Sequence, residues 1–200
     1  MICSNLLQQL YNIVDTLIVG RFIGTGALAA VGSAYTLMTF IISILLGMCM
    51  GSGAIFSIRF GEKRWAHLRA NIFTSFVMIA FFSAVLNILS FVMIDAIMRF
   101  ISVPDEVYSL MREYLLVVFC GIFASFLYNF FASLLRAVGN SMMPLVFLGV
   151  SAVLNIALDL VFVLGFDMGV GGAALATVIS QWIAGAGMML YTLVKCPELR

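Results

Sequence analysis

Pro144-Leu-Val-Phe-Leu-Gly-Val-Ser-Ala-Val-Leu-Asn-Ile-Ala-Leu-Asp-Leu-Val-Phe-Val-Leu164 is an apolar run with an amide, Asn155, and a carboxylate, Asp159, inside it. About 20 apolar residues in helical form cross a hydrocarbon core about 30 Å thick, so the run is read as a membrane span. A carboxylate at that depth costs about 3 kcal/mol on insertion scales. Chains that keep one turn it toward protein or a water cavity, where it binds an ion, a proton or a substrate. A second carboxylate, Asp15, lies in the run Ile2–Val19. These two acids define the problem: a membrane chain with something to hold in its interior.

The rest of the chain agrees with that class. Of the 200 residues 64% are hydrophobic and 10% charged, with a mean hydropathy of +1.19. A soluble domain carries about 25% charged residues. Six apolar segments are predicted as transmembrane helices, at about 2–19, 34–58, 70–94, 111–135, 144–164 and 173–194. Backbone polar groups in lipid must be satisfied within the segment, which dictates helix. The alternation of a membrane barrel strand is absent, and the runs are too long for one. The fold class is therefore all-α and polytopic.

Loop charges set the expected orientation. Arg59, Lys63, Arg64 and Arg69 lie between the second and third segments, Arg136 in the fourth-to-fifth turn, and Lys195 and Arg200 after the sixth. Arg21, Arg99 and Arg112 are on the opposite side. The positive-inside bias then puts both ends of the chain in the cytoplasm of a multi-pass protein of the plasma (inner) membrane. Pro104-Asp-Glu106 reads as a helix start, since proline presets the first turn and the acids favour its dipole. Pro144 plays the same part after Gly139-Asn-Ser. Few residues precede Ser4 and Asn5, so the chain is expected to begin part-way into its first helix, with no cleavable signal peptide.

At 1.5 Å per residue, Asp15 and Asp159 both lie roughly 9 Å below the outer ends of their helices. Thr177, on the inward-running sixth helix, falls at a similar depth, and Asn12, Asn155 and Gln181 form a layer beneath. Asn155 and Asp159 are four residues apart, as are Thr177 and Gln181, and Gln8, Asn12 and Asp15 make a stripe, so each set shares one helix face. Oxygen ligands of this kind suit a hard cation such as Na⁺, or a proton on a buried carboxylate. A lone intramembrane Asn or Thr is more often glue between helices. Ser83, Asn87 and Ser90, with Thr36, Thr39 and Ser43, are read as packing or cavity lining, and Gly20/Gly24 and Gly47/Gly51 as close helix contacts.

Several functions are set aside. No basic patch with interleaved aromatics points to nucleic acid, and Cys3, Cys49, Cys120 and Cys196 are scattered without a paired motif. With His67 the only histidine, and in a charged loop, no transition-metal site is expected. Gly51-Ser-Gly53 does not make an intramembrane serine protease, because His67 lies beyond the end of the same helix and cannot act as its base. The chain is read as no enzyme.

The motifs resemble a known family. Gln8-Gln-Leu-Tyr-Asn-Ile-Val-Asp-Thr-Leu-Ile-Val-Gly-Arg21 with Gly26-Ala-Leu-Ala-Ala-Val-Gly32 is similar to the first helix and following loop of the multidrug and toxic compound extrusion (MATE) family. Val103-Pro-Asp-Glu-Val107, Leu134-Leu-Arg-Ala-Val-Gly-Asn-Ser-Met-Met-Pro-Leu145 and Gly169-Val-Gly-Gly-Ala-Ala-Leu-Ala-Thr-Val-Ile-Ser180 resemble its later motifs, in the same order. The resemblance implies a Na⁺- or H⁺-coupled antiporter that exports cationic, amphipathic drugs. It implies no cofactor beyond the coupling ion, and twelve helices in two six-helix lobes. Residues 1–200 would be the N-terminal lobe, with the C-terminal lobe absent or supplied by a second half-chain. The family's N-lobe cation site falls on Asp15, Asn155, Asp159 and Thr177, which the depths had selected independently. The alternatives are a lipid-linked oligosaccharide flippase of the related superfamily, which calls for buried basic residues, and a non-transporting six-helix scaffold.

Overall fold

The structure, a computed structural model, describes residues 13–196 and Leu199. Helix α1, described over residues 13–22, turns at Ile23 and Gly24 into α2 (Thr25–Gly61). Gly24 has φ +117°, a conformation that favours glycine and lets the two helices fold back on each other. α3 (Trp65–Val92) follows a tight turn, and a short α4 (Ile94–Phe100) follows α3 directly. α5 (Asp105–Phe119) and α6 (Ile122–Ala137) are two halves of one bent rod. α7 (Met142–Asp159) runs into a π-helical turn, Leu160–Gly165, and α8 (Gly169–Lys195) closes the bundle. No strand occurs among the described residues.

Among those residues four helices are long and apolar enough to span a bilayer: α2, α3, α7 with its π-turn, and α8. The α5–α6 pair, bent by 45°, adds a fifth if taken as one span. The first predicted span lies largely outside the described residues. Pro104 sits just ahead of the first turn of α5, with Asp105 and Glu106 inside it, as the sequence predicts. α7 starts two residues before Pro144, where Asn140 Oδ1 accepts the Met143 N–H at 3.3 Å.

Other boundaries differ from the expectation. α2 begins at Thr25 instead of Ala34, because Gly24 supplies the turn and the small residues after it propagate helix. At 1.5 Å per residue α2 is about 55 Å long, well beyond a hydrocarbon core. The predicted span 111–135 breaks at Cys120–Gly121, and α4 occupies what reads as loop. Gly47 and Gly51 make no close contact: both are on an exposed face of α2, with nothing near where a Cβ would stand. Gly20 does pack, a Cβ there meeting Leu28 at 3.3 Å, whereas Gly24 serves the turn.

α6 is the central helix, with Phe126 and Phe130 fully buried, while α3 buries only Leu68, Ile79, Ser83 and Ser90. Phe56, Phe76, Phe126, Phe130 and Phe131 interlock with ring centroids 5.3–6.1 Å apart, fastening α2 and α3 to α6. This aromatic block leaves α7 and α8 to pack on the other flank with α1, where the acids meet.

Candidate functional site

Asp15 on α1, Asn155 and Asp159 on α7 and Thr177 on α8 come together between three helices. The carboxyl groups of Asp15 and Asp159 are close enough to share a hydrogen bond when one carries a proton. Asp159 is fully buried, and Asn155 and Asp15 are 2% and 7% exposed. Asn155 Nδ2 donates to Thr177 Oγ1 at 3.4 Å, and that hydroxyl donates to the Ala173 carbonyl at 3.1 Å. The amide therefore spends its donor on α8 and presents Oδ1 as a spare acceptor.

The hydrogen-bond balance is one-sided. Asp15 Oδ1, Asn155 Oδ1 and both carboxylate oxygens of Asp159 are buried with no donor among the described residues. Native interiors rarely leave polar atoms in that state, and a bound water or ion is a standard reason when they do. The ion pairs among the described residues, Arg59–Glu62, Arg64–Glu62 and Arg112–Asp95, all lie elsewhere. Two adjacent carboxylates with no basic side chain paired to them can share a proton or enclose a cation. The donor set is oxygen only, which selects a hard cation.

Gln181, one turn beyond Thr177, is placed elsewhere: its Oε1 accepts Ser125 Oγ at 3.2 Å, at the α5–α6 break. Asn12 lies outside the described residues. Thr36 and Ser43 are exposed on α2 and donate to carbonyls of their own helix, at 3.3 Å to Gly32 and 2.7 Å to Thr39. Asn87 donates to the Phe119 carbonyl beside the break, where Trp182 Nε1 also donates to Cys120 O at 3.2 Å. Sequence reading missed this elbow and the π-turn. The elbow had a signal in Gly121, inside a predicted helix, whereas the π-turn had none. Ser52 is buried on α2, beside a Gly53 packed on Ser133, and His67 is exposed in the first turn of α3.

The MatE family model matches residues 1–161. The chain is 32% identical over 181 residues to a probable multidrug resistance protein, YpnP, of Bacillus subtilis, covering 90% of this chain and 41% of that protein. It is 28% identical over 201 residues to the probable multidrug resistance protein NorM of Thermotoga maritima, covering 98% and 43%. Among solved structures, the outward-facing conformation of a multidrug resistance MATE family transporter of the MOP superfamily superposes with a TM-score of 0.90 at 26% identity, covering 98% of this chain and 43% of that one. The chain thus spans about two fifths of the length of the relatives it matches.

Proposed function

From the premise that this chain belongs to the MatE family, a family of transporters, we propose that it is the cation-binding N-terminal lobe of an exporter that drives cationic, amphipathic drugs out of the cell in exchange for Na⁺ or H⁺. The observation that carries the reading is the group of four buried, donorless oxygens on Asp15, Asn155 and Asp159. The named activities of the relatives, multidrug resistance and export, support the substrate class.

In this reading a cation or a proton sits between the Asp15 and Asp159 carboxylates, with Asn155 Oδ1 as a neutral third ligand. Thr177 holds the Asn155 amide in the rotamer that offers its oxygen. Occupancy neutralises the repulsion between the acids and draws α1 onto α7. Release restores two like charges at close range, which push α1 away. Because α1 carries one acid and α7 the other, the charge state of the site sets how the two helices pack. That packing biases drug binding in the cavity between this lobe and its counterpart, around which the two lobes rock. The lipid bilayer and a second lobe are the partners this mechanism requires. None of the Lys and Arg side chains among the described residues is buried, which disfavours a flippase for pyrophosphate-linked cargo.

The test is efflux in the protein that carries this chain together with its second lobe. Asp159→Asn keeps the side-chain volume and removes the charge. It should abolish Na⁺- or H⁺-driven drug export while leaving protein levels in the membrane intact. Export at the wild-type rate would sink the assignment.

A further inference from the structure

Asp159 is the last α-helical residue of α7, and the π-turn Leu160–Gly165 begins immediately after it. The wider winding shows in the bond from Phe166 N–H to Val161 O, five residues back, at 3.0 Å, followed by Met168 N–H to Phe162 O at 3.0 Å. A π-turn of this kind closes the C-terminus of a helix. This one is seated against the first turn of α8 at Gly172. A Cβ on Gly172 would stand 2.9 Å from Met168 Cβ, 3.1 Å from Phe162 Cβ and 3.3 Å from the Phe162 carbonyl carbon. These atoms belong to the backbone or its first carbon, so no side-chain rotation relieves the contact.

Apart from the proton it can share with Asp15, the Asp159 carboxylate has no hydrogen-bond partner among the described residues. Two turns before it, Ser151 Oγ donates to the Ser180 carbonyl at 3.1 Å, and two nearer points fasten α7 to α8 on either side of it. One turn before it, Asn155 bonds to Thr177; three residues after it, Phe162 rests on Gly172. We propose that Gly172 is a positioning residue for the cation pair: by admitting the π-turn against α8, it fixes the depth and rotation at which Asp159 meets Asp15. The inference rests on the cation-site reading above. A binding constellation works only while its groups are held within about 0.5 Å of the productive geometry. An added methyl group at Gly172 must move Phe162 by several tenths of an ångström to reach ordinary contact, and the displacement is passed on to Asp159 three residues away.

Gly185 provides the internal comparison. A Cβ there would meet the Ala124 carbonyl oxygen at 2.7 Å, an equally tight contact, but on the α8–α6 seam away from the acids. The experiment is a Na⁺ titration at two pH values of the purified protein that carries this chain, read as the rise in melting temperature. Gly172→Ala is expected to move the cation midpoint at least about tenfold. Gly185→Ala is expected to lower the cation-free melting temperature and leave the midpoint within about twofold. Phe162→Ala, which loosens the π-turn without adding volume, should shift the midpoint in the same direction as Gly172→Ala, and it decides the matter if Gly172→Ala does not fold. A lowered melting temperature with a wild-type midpoint in Gly172→Ala, or in Phe162→Ala if only that variant folds, overturns the proposal. A wild type that responds to neither Na⁺ nor pH overturns the cation-site reading itself, and this inference with it.

Discussion

Asp159 shows how much one residue contributes when it is fully buried. Its burial without a donor is what separates it from Asp95, an acid of identical chemistry in α4. Asp95 is solvated and accepts Tyr108 OH at 2.9 Å and Arg112 Nε at 3.1 Å, and these two partners hold its carboxyl below the usual carboxylate range. A carboxyl depressed in the folded state adds stability above its unfolded value, near 4, and loses it as pH falls further. The melting temperature of wild type should therefore exceed that of Asp95→Asn at about pH 6, with the gap closing as pH falls below about 4. A gap that stays constant would show that the Tyr108 and Arg112 bonds do not discriminate the charged form. Within the site, Thr177→Val deletes the acceptor of Asn155 Nδ2 and frees the amide to turn. Cation affinity should drop about tenfold, or about 1.4 kcal/mol, in the same titration; an unchanged midpoint would mean that Thr177 does not orient Asn155. The four residues that meet between α1, α7 and α8 could be named from the sequence: depth placed Asp15, Asp159 and Thr177 at one level, and the four-residue spacing put Asn155 on the face of Asp159. Which of them touch could not be: the depth count also selected Gln181, and a partner on α6, Ser125, holds it at the elbow instead.

At the scale of elements, helix starts were read best where a residue forces the geometry. Pro104 with Asp105 and Glu106 opens α5 as expected, because proline fixes its own φ and the acids meet the helix dipole locally. The break between α5 and α6 is different in kind. It depends on what packs around it: a Cβ at Gly121 would stand 2.5 Å from Gln181 Oε1, and Asn87 and Trp182 donate to the Phe119 and Cys120 carbonyls. Those partners come from α3 and α8, far away in sequence, so hydropathy reads the region as one continuous span. Asn87→Leu should cost about 1 to 2 kcal/mol, since it leaves the carbonyl at the bend without its side-chain donor. Reversible unfolding in mixed micelles measures this; a loss below about 0.3 kcal/mol would mean the elbow holds itself without Asn87. The π-turn after Asp159 shares that origin, being set by the fit of Phe162 on Gly172.

For the whole molecule, the aromatic block around α6 fills one flank, and the α1–α7–α8 flank holds the two buried acids. In the proposed mechanism, a change of charge at the two acids alters the packing of α1 on α7 and leaves the aromatic block in place. Composition alone established the class, because 64% hydrophobic residues are incompatible with a soluble core. The face of α2 that carries Thr36, Thr39, Ser43 and Gly47 is exposed. The central claim is that Asp15 and Asp159 hold the coupling cation together. The direct measurement is cation occupancy of the purified protein across pH, with Na⁺ uptake and proton exchange followed together, in wild type, Asp15→Asn and Asp159→Asn. Wild type should bind a single Na⁺ or exchangeable proton at a shared site, and either substitution should remove it. If both variants retain the wild-type titration, the two acids do not form the site and the account fails.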